Sequence, residues 1–280
     1  MSTIDVRGRA VPSLMYGTAW KEDDTARLTR LALDAGYRAF DTANQRRHYH
    51  EAAVGQAIRQ ALAEGVVERR ALFLQTKFTH QAGQDHRLPY DPDADVEGQV
   101  AQSVASSLEH LGVEVLDSYV LHGPSVSEGL APEDVAAWRA MERAHAAGQA
   151  RLLGVSNVTP RQLEALCDLA SVAPAFVQNR CYARAGWDRE TRAVCRDRGV
   201  VYQGFSLLTA NLHELRHPDL VAVAARLGAT PAQVVFRFAL AVGMLPLTGT
   251  SDPEHMREDL AAAALDLGPD EVARIERLSG

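Results

Sequence analysis

Four residues that could together move a proton stand at or near the ends of short apolar runs. Tyr37 to Phe40 leads into Asp41. Leu72 to Phe78 contains Lys77. Leu116 to Leu121 ends on His122, ahead of Gly123-Pro124. Tyr49 sits in the polar loop after Asp41, just before a helix opening at Glu51. A lysine inside an apolar run needs a carboxylate partner, because an unpaired buried ammonium is costly; Asp41 is the candidate. The pair would keep a positive charge beside Tyr49, which is expected to lower the phenol's pKa and ease proton release near neutral pH. His122 would share that proton or turn a ring N–H toward a carbonyl oxygen. A proton donor over a carbonyl suits reduction, and since no side chain supplies a hydride, a cofactor is implied. Ser156, Asn157 and Gln178 offer partners for a carboxamide, and Phe205 offers a flat face for a heteroaromatic ring. Taken singly, Asp41 reads equally as a loop cap and His122 as a core histidine; only the set specifies chemistry.

The elements that must position these residues alternate in type. Apolar runs at Leu14 to Ala19, Tyr37 to Thr42, Ala71 to Phe78, Leu116 to Leu121, Leu152 to Val155, Ala175 to Gln178, Val200 to Phe205 and Met244 to Leu247 read as strands. They are short and mostly not alternating, as parallel strands buried on both faces are. Between them run helical patterns at Asp23 to Ala35, Glu51 to Ala63, Asp95 to Leu111, Pro132 to Ala147, Pro160 to Leu169, Arg189 to Arg198, Asp219 to Leu227 and Pro231 to Ala241. Pro253 to Ala264 and Pro269 to Leu278 finish the chain. Proline at the start and glycine after the end mark several of them. Ser2 to Ser13, around Arg7-Gly8-Arg9, reads as a hairpin. Eight βα units without a linker fit one (β/α)₈ TIM barrel, an α/β fold, with a short N-terminal β-hairpin, and residues 1–280 as a single domain. A doubly wound sheet competes, but no G-x-G-x-x-G follows the first strand. Gly249-Thr250-Ser251, before the next helix, reads as a phosphate seat.

Composition narrows the partners. The chain has 280 residues, 46% of them apolar, with mixed charges summing to −7, which supports a sizeable core and argues against nucleic acid or an anionic membrane surface. No apolar run approaches the length of a membrane span, and the first ten residues lack the apolar core of a secretion signal. Cys167, Cys181 and Cys195 are widely spaced and read as reduced structural thiols of a cytoplasmic protein, with no metal site expected. The expected partner is a small-molecule carbonyl substrate, and a monomer is favoured.

In order along the chain, these residues resemble the aldo-keto reductase superfamily. Gly17-Thr18-Ala19-Trp20-Lys21 resembles its first-strand motif, Phe40-Asp41-Thr42-Ala43 the strand with its Asp, Thr76-Lys77 the strand with its Lys, and Leu121-His122 the strand with its His. Gly154-Val155-Ser156-Asn157, Gln178-Asn179, Phe205-Ser206-Leu207 and Gly249-Thr250-Ser251 follow in the family's order. The resemblance implies a (β/α)₈ barrel, reduction of aldehydes or ketones with NADPH (NADH in second place), and an Asp41, Tyr49, Lys77, His122 tetrad. It implies that Thr18, Asp41, Ser156, Asn157, Gln178, Phe205, Ser206, Leu207, Gly249, Thr250, Ser251, His255 and Asp259 bind the cofactor. Trp20, His48 and His122 would face the substrate.

The chain departs from the family at three places. In the family pattern D-T-A-x-x-Y-x-N-E the Tyr is closer to the Asp; here the loop is longer and carries Arg46 and Arg47, so counting back from Glu51 puts His48 in the Tyr column. Tyr49 is preferred as proton donor because a phenol suits the chemistry. At the adenosine end, the family's Lys, Arg and Asn columns hold Gly249, His255 and Asp259, removing two cations and adding a carboxylate where a 2′-phosphate would sit; Arg257 is a compensating candidate. Finally, the chain ends at Gly280 directly after its last helix, so the pocket is expected to be shaped by the Thr79 to Asp93 and Gly123 to Ala131 loops. The stretch from Arg180 to Trp187 is expected near the mouth, where Arg180 and Arg184 would either favour an acidic substrate or lie in a solvated loop. Two other activities compete with reduction: a nicotinamide-binding regulatory or accessory subunit with little turnover, and an aldolase using Lys77 as a Schiff base.

Overall fold

A computed structural model describes residues 2–278 of the chain. The expected hairpin opens it: β1 (Thr3–Val6) pairs antiparallel with β2 (Arg9–Pro12) across Arg7-Gly8, both at positive φ. Eight parallel strands then close a barrel: β3 (Met15–Gly17), β4 (Ala39–Asp41), β5 (Phe73–Phe78), β6 (Leu116–Leu121), β7 (Ala150–Ser156), β8 (Phe176–Arg180), β9 (Val201–Phe205) and β10 (Met244–Thr248). They pair in chain order, and β10 closes on β3 through Leu247↔Met15 and Thr248↔Tyr16. The expected (β/α)₈ barrel is therefore the observed one, with strand ends differing by a few residues where the outer backbone leaves the ladder.

The helices follow the strands: α1 (Thr25–Ala35), α2 (Glu51–Ala63), α3 (Val96–Leu111), α4 (Pro132–Ala146), α5 (Pro160–Leu169), α6 (Arg189–Arg198), α7 (Pro218–Leu227), α8 (Pro231–Ala241), α9 (Pro253–Ala261) and α10 (Pro269–Glu276). Local chemistry sets their starts. Asp95 caps α3 by accepting from Gly98 N at 2.8 Å, and Thr159 and Thr230 form capping boxes with Gln162 and Gln233. No single helix among the described residues is long and apolar enough to cross a membrane.

Two apolar layers result. One lies between the barrel wall and the helices, around Phe40, Leu74, Trp138, Leu153 and Phe238. The other fills the lower barrel, where Met15, Ala39, Phe73, Phe176 and Leu245 stack on Val6 and Val11 of the hairpin, which plugs that end. Above this plug the interior turns polar: Asp41, Gln75, Lys77, Gln178 and Gln203 are all buried. Burial of that many polar groups is tolerable only if they satisfy one another.

Candidate active site

The register of the barrel puts the expected residues on one rim. Asp41 ends β4 and pairs with Gly17 and Gln75; Lys77 pairs with Val120 one residue from the end of β5. His122 directly follows β6, Ser156 ends β7, Phe205 ends β9 and Thr248 ends β10. These are C-terminal strand ends, the face on which barrels of this kind carry their sites. A cleft of about 520 Å³ opens there, lined by Trp20, Asp41, His48, Tyr49, His122, Ser156, Asn157, Gln178, Phe205, Ser206, Leu207, Gly249 and Thr250 among others. That volume suits a small organic ligand. Three rim residues other than glycine, Trp20, Asn157 and Ser206, hold positive φ, a cost concentrated at the mouth.

At the floor, Lys77 Nζ donates to Asp41 Oδ1 and Oδ2, both at 2.7 Å, and to Thr42 O at 2.8 Å. Those bonds commit all the protons of the ammonium. Burial pulls the Lys77 pKa down, while Asp41 and Glu51 oppose it. Lys77 Nζ lies 5.1 Å from the Tyr49 ring centre, and the Tyr49 and His122 rings meet edge to face at 5.9 Å. The expected lowering of the Tyr49 pKa is not what the structure gives. Burial, and then the Asp41 charge, push the phenol above its ordinary value. The reason is visible in the bonding: the Lys77 charge is matched by Asp41, so the ring sees a nearly neutral pair and a poorly solvated site.

His122 is held at its far nitrogen: Nδ1 and Thr79 Oγ1 are 2.7 Å apart. Burial first, and then Lys77 and His48, push its pKa down to about 3, so the ring is neutral at working pH. His48 does not share the floor with Lys77. Its ring stacks on Trp20 at 4.0 Å near the entrance, and its backbone carbonyl accepts from Trp20 N at 2.7 Å. The longer loop between Asp41 and Glu51 thus sets Tyr49 inward and His48 outward. Asn44 donates to Ser103 O at 3.2 Å, Gln45 donates to Gly83 O at 2.7 Å, and Arg87 donates to Arg46 O at 3.0 Å, so α3 and the 79–93 segment brace that loop.

On the opposite wall, Ser156 Oγ donates to Gln178 O at 2.6 Å and Asn157 Nδ2 donates to His122 O at 2.7 Å. Gln178 Nε2 donates inward to Asp41 Oδ1 at 3.0 Å and to Gln203 Oε1 at 2.9 Å, and none of the described residues donates to its own Oε1. The Arg180 guanidinium lies 5.4 Å from the Phe205 ring centre and lines the cleft, whereas Arg184 lies over Tyr182. Trp187, expected near the mouth, is instead fully buried, packed on Phe238 and donating to Ile275 O at 2.9 Å.

Several residues expected at the cofactor lie outside the lining of this cleft. Thr18 is buried outside the cleft lining, its hydroxyl donating to the Asp41 carbonyl at 3.0 Å, so it holds the strand that bears the acid. Asp259 turns into the core and accepts from Thr248 Oγ1 at 2.7 Å. Ser251 and His255 are exposed and outside the cleft lining. At the start of α9, after the expected phosphate seat Gly249-Thr250-Ser251, the protein's own acid caps the helix. Asp252 Oδ1 accepts from Glu254 N at 2.7 Å and His255 N at 3.4 Å. The cation missing at position 249 arrives from the first strand's loop: Lys21 Nζ donates to Gly249 O and would stand 3.8 Å from a Cβ built at Gly249.

Sequence reasoning missed Gln75, Gln203, Thr79 and this role of Lys21. Gln75 had a readable signal, since it lies two residues before Lys77 in the same apolar run and so faces the same side of the strand.

Comparison with known proteins agrees with this geometry. Residues 13–279 match the model of the Aldo/keto reductase family. An aldo-keto reductase of Mycolicibacterium vanbaalenii is 31% identical over 96% of this chain and 88% of its own. The 2,5-diketo-D-gluconic acid reductase B of a Corynebacterium species is 30% identical over 88% of this chain and 81% of its own. Among solved structures, an aldo/keto reductase from Brucella melitensis superposes with a TM-score of 0.84 at 25% identity, covering 99% of this chain and 98% of that one. An aldo-keto reductase complexed with NADPH superposes at 0.83 with 24% identity, covering 99% of this chain and 87% of that one, and supports the fold. A match running through nearly every strand and helix of the barrel leaves one assignment: the chain belongs to the aldo/keto reductase family.

Proposed function

We propose that this chain reduces an aldehyde or ketone to an alcohol with NADPH, Tyr49 donating the proton, and that residues 1–280 act as a single domain. The observation that carries this reading is the seating of the Tyr49 ring against both Lys77 and His122, over a Lys77–Asp41 pair with almost no exposure. The cleft fits a nicotinamide dinucleotide on its own chemistry. Gln178 presents an unpaired acceptor, Phe205 presents a ring, and Lys21 supplies a cation near Gly249. Lys21 and Lys77 are the only lysines in the chain, one beside Gly249 at the rim and one beneath the floor. When bound, the reduced nicotinamide supplies the hydride.

Each side chain then has a defined task. Asp41 keeps Lys77 charged; the pair keeps the floor polar beneath Tyr49. Tyr49, with its raised pKa, remains protonated and is a donor rather than a base. His122, neutral and gripped by Thr79, faces a carbonyl oxygen with its other ring nitrogen. The aldolase alternative asks Lys77 for a free amine, but its protons are all committed. Trp20 and His48 form the outer wall for the substrate.

The test is NADPH oxidation across a panel of aldehydes and ketones. Tyr49→Phe is expected to cut turnover by roughly 10²- to 10⁴-fold with cofactor binding retained, while His48→Gln shifts KM and leaves kcat within a few-fold. If His48→Gln removes turnover and Tyr49→Phe does not, the proton donor is misassigned. Tight cofactor binding without turnover on any carbonyl would establish the accessory-subunit reading instead.

A further inference from the structure

Beneath the cleft lies a hydrogen-bonded amide assembly that the chemistry above does not use. Gln75 projects from β5 and Gln203 from β9, opposite walls of the closed barrel, and the two amides meet reciprocally. Gln75 Nε2 donates to Gln203 Oε1 at 2.8 Å, and Gln203 Nε2 donates to Gln75 Oε1 at 3.0 Å. Both side chains are fully buried. Each is also the register partner of a residue at the site: Asp41 sits beside Gln75, and Gln178 beside Gln203. Gln75 Nε2 donates its second hydrogen to Asp41 Oδ1 at 2.8 Å, and Gln178 Nε2 divides its hydrogens between Asp41 Oδ1 and Gln203 Oε1.

The direction of every amide in this group follows from the carboxylate. Asp41, as an anion, can only accept, so Gln75 must turn its nitrogen toward it. The Gln75 oxygen then faces Gln203 and requires that residue's nitrogen. The Gln203 oxygen is left facing Gln75 and Gln178. Gln178 consequently meets two acceptors on its inner side, Asp41 Oδ1 and Gln203 Oε1, and must present nitrogen inward and oxygen to the cleft. A lone glutamine on a cleft wall could offer either end of its amide; this one cannot.

We propose that Gln75 and Gln203 are positioning residues that fix the Gln178 amide with its oxygen toward the cleft. The cleft thereby selects a bound ring that carries an N–H donor, the primary carboxamide of a nicotinamide, over one that carries none. This rests on the reading above that the cleft takes a nicotinamide dinucleotide, and deepens it by naming how the ring's substituent is recognised. Losing the Gln203 acceptor leaves Gln178 one inner bond, to Asp41, in place of two and loosens the hold on its amide.

The test compares binding of NADP⁺ with binding of its 3-acetylpyridine analogue, whose acetyl group has no N–H, by titration calorimetry without substrate. The wild-type chain is expected to favour NADP⁺. Gln203→Met, close in volume and without hydrogen-bonding groups, should weaken NADP⁺ by roughly 3- to 10-fold and leave the analogue unchanged, so that the preference collapses. Gln203→Glu should keep the preference. A second carboxyl beside Asp41 stays protonated and reproduces both the acceptor toward Gln178 and a donor toward Gln75. Should the single Met variant not fold, Gln75→Met with Gln203→Met removes both partners together, leaves no orphan within the pair, and is expected to show the same loss. A Met variant that keeps the wild-type preference overturns the proposal. So does a Glu variant that loses it as fully as Met, or a wild-type chain that binds both compounds equally. A wild-type chain that binds neither overturns the cofactor reading itself.

Discussion

Single side chains decide how this site should respond to pH. Tyr49 sits at the cleft floor beside the Asp41 charge, and desolvation there and that charge raise its pKa; His122 is held at about 3 by burial, Lys77 and His48. A group whose pKa is raised keeps its proton through the neutral range, and one whose pKa is depressed stays neutral there. With Tyr49 as the proposed proton donor, carbonyl reduction would use the protonated phenol, so its kcat should run level from about pH 6 to about pH 10, the ordinary phenol range, without an acid limb from His122. Alcohol oxidation uses the phenolate, so it should climb with pH over the same interval. Paired pH–rate profiles check this, and a reductive profile that declines from near pH 7 would show that the phenol is acidified after all.

At the scale of elements, the tyrosine loop is only as well placed as α2, which begins two residues after Tyr49. One face of α2 docks on the end of α3 through Glu51, Gly55 and Arg59, spaced a turn apart. The Glu51 carboxylate meets His110 Nδ1 at 2.9 Å, and Arg59 donates to His110 O at 2.9 Å. Between them Gly55 touches backbone: an added Cβ would stand 1.9 Å from His110 O and 2.7 Å from Leu111 Cα. No rotamer relieves a clash with main chain, so Gly55→Ala must push the helices apart, at about 1–3 kcal/mol or more. We expect a lowered Tm and a loss of kcat larger than a distant surface substitution gives, because the start of α2 moves with Tyr49. Thermal unfolding and turnover measured together check it; unchanged melting would mean that α2 is not seated as described.

Across the whole molecule, the barrel separates an apolar plug from a polar interior, and the last strand and the helix that follows it close it with one buried acid. Asp259 on α9 accepts from Thr248 of β10, and burial raises its pKa from 3.8 to about 6. A carboxyl with a raised folded-state pKa favours the fold while protonated. Its contribution is complete below its unfolded value and is lost as pH rises through about 6. At neutral pH the chain therefore holds a buried charge whose hydrogen-bond partner is the Thr248 hydroxyl. Asp259→Asn should raise stability at about pH 7.5 by roughly 1–3 kcal/mol and change it little near pH 4.5. Melting curves at both values check the sign, and an equal shift at both would mean that the Asp259 proton is not its cause.

What the sequence by itself determined is the part written in local chemistry. Parallel strands buried on both faces leave apolar runs, helices leave proline, glycine and capping signals, and so the barrel, its order and its hairpin are legible in the sequence. The same holds for Asp41, Lys77 and His122, because burying a polar group at the end of an apolar run is costly unless a partner or a task awaits it there. The tertiary structure decided what depends on the closing of the barrel and on the seating of loops. It chose Tyr49 over His48 for the floor, since the path of an irregular loop is set by what braces it, here α3 and the 79–93 segment. It turned Asp259 and Trp187 inward and brought Lys21 to Gly249, the last two through pairings between residues far apart in the chain. It also joined Gln75 to Gln203: two glutamines whose pairing has no signal in either strand become partners only because β5 and β9 face each other across a closed barrel.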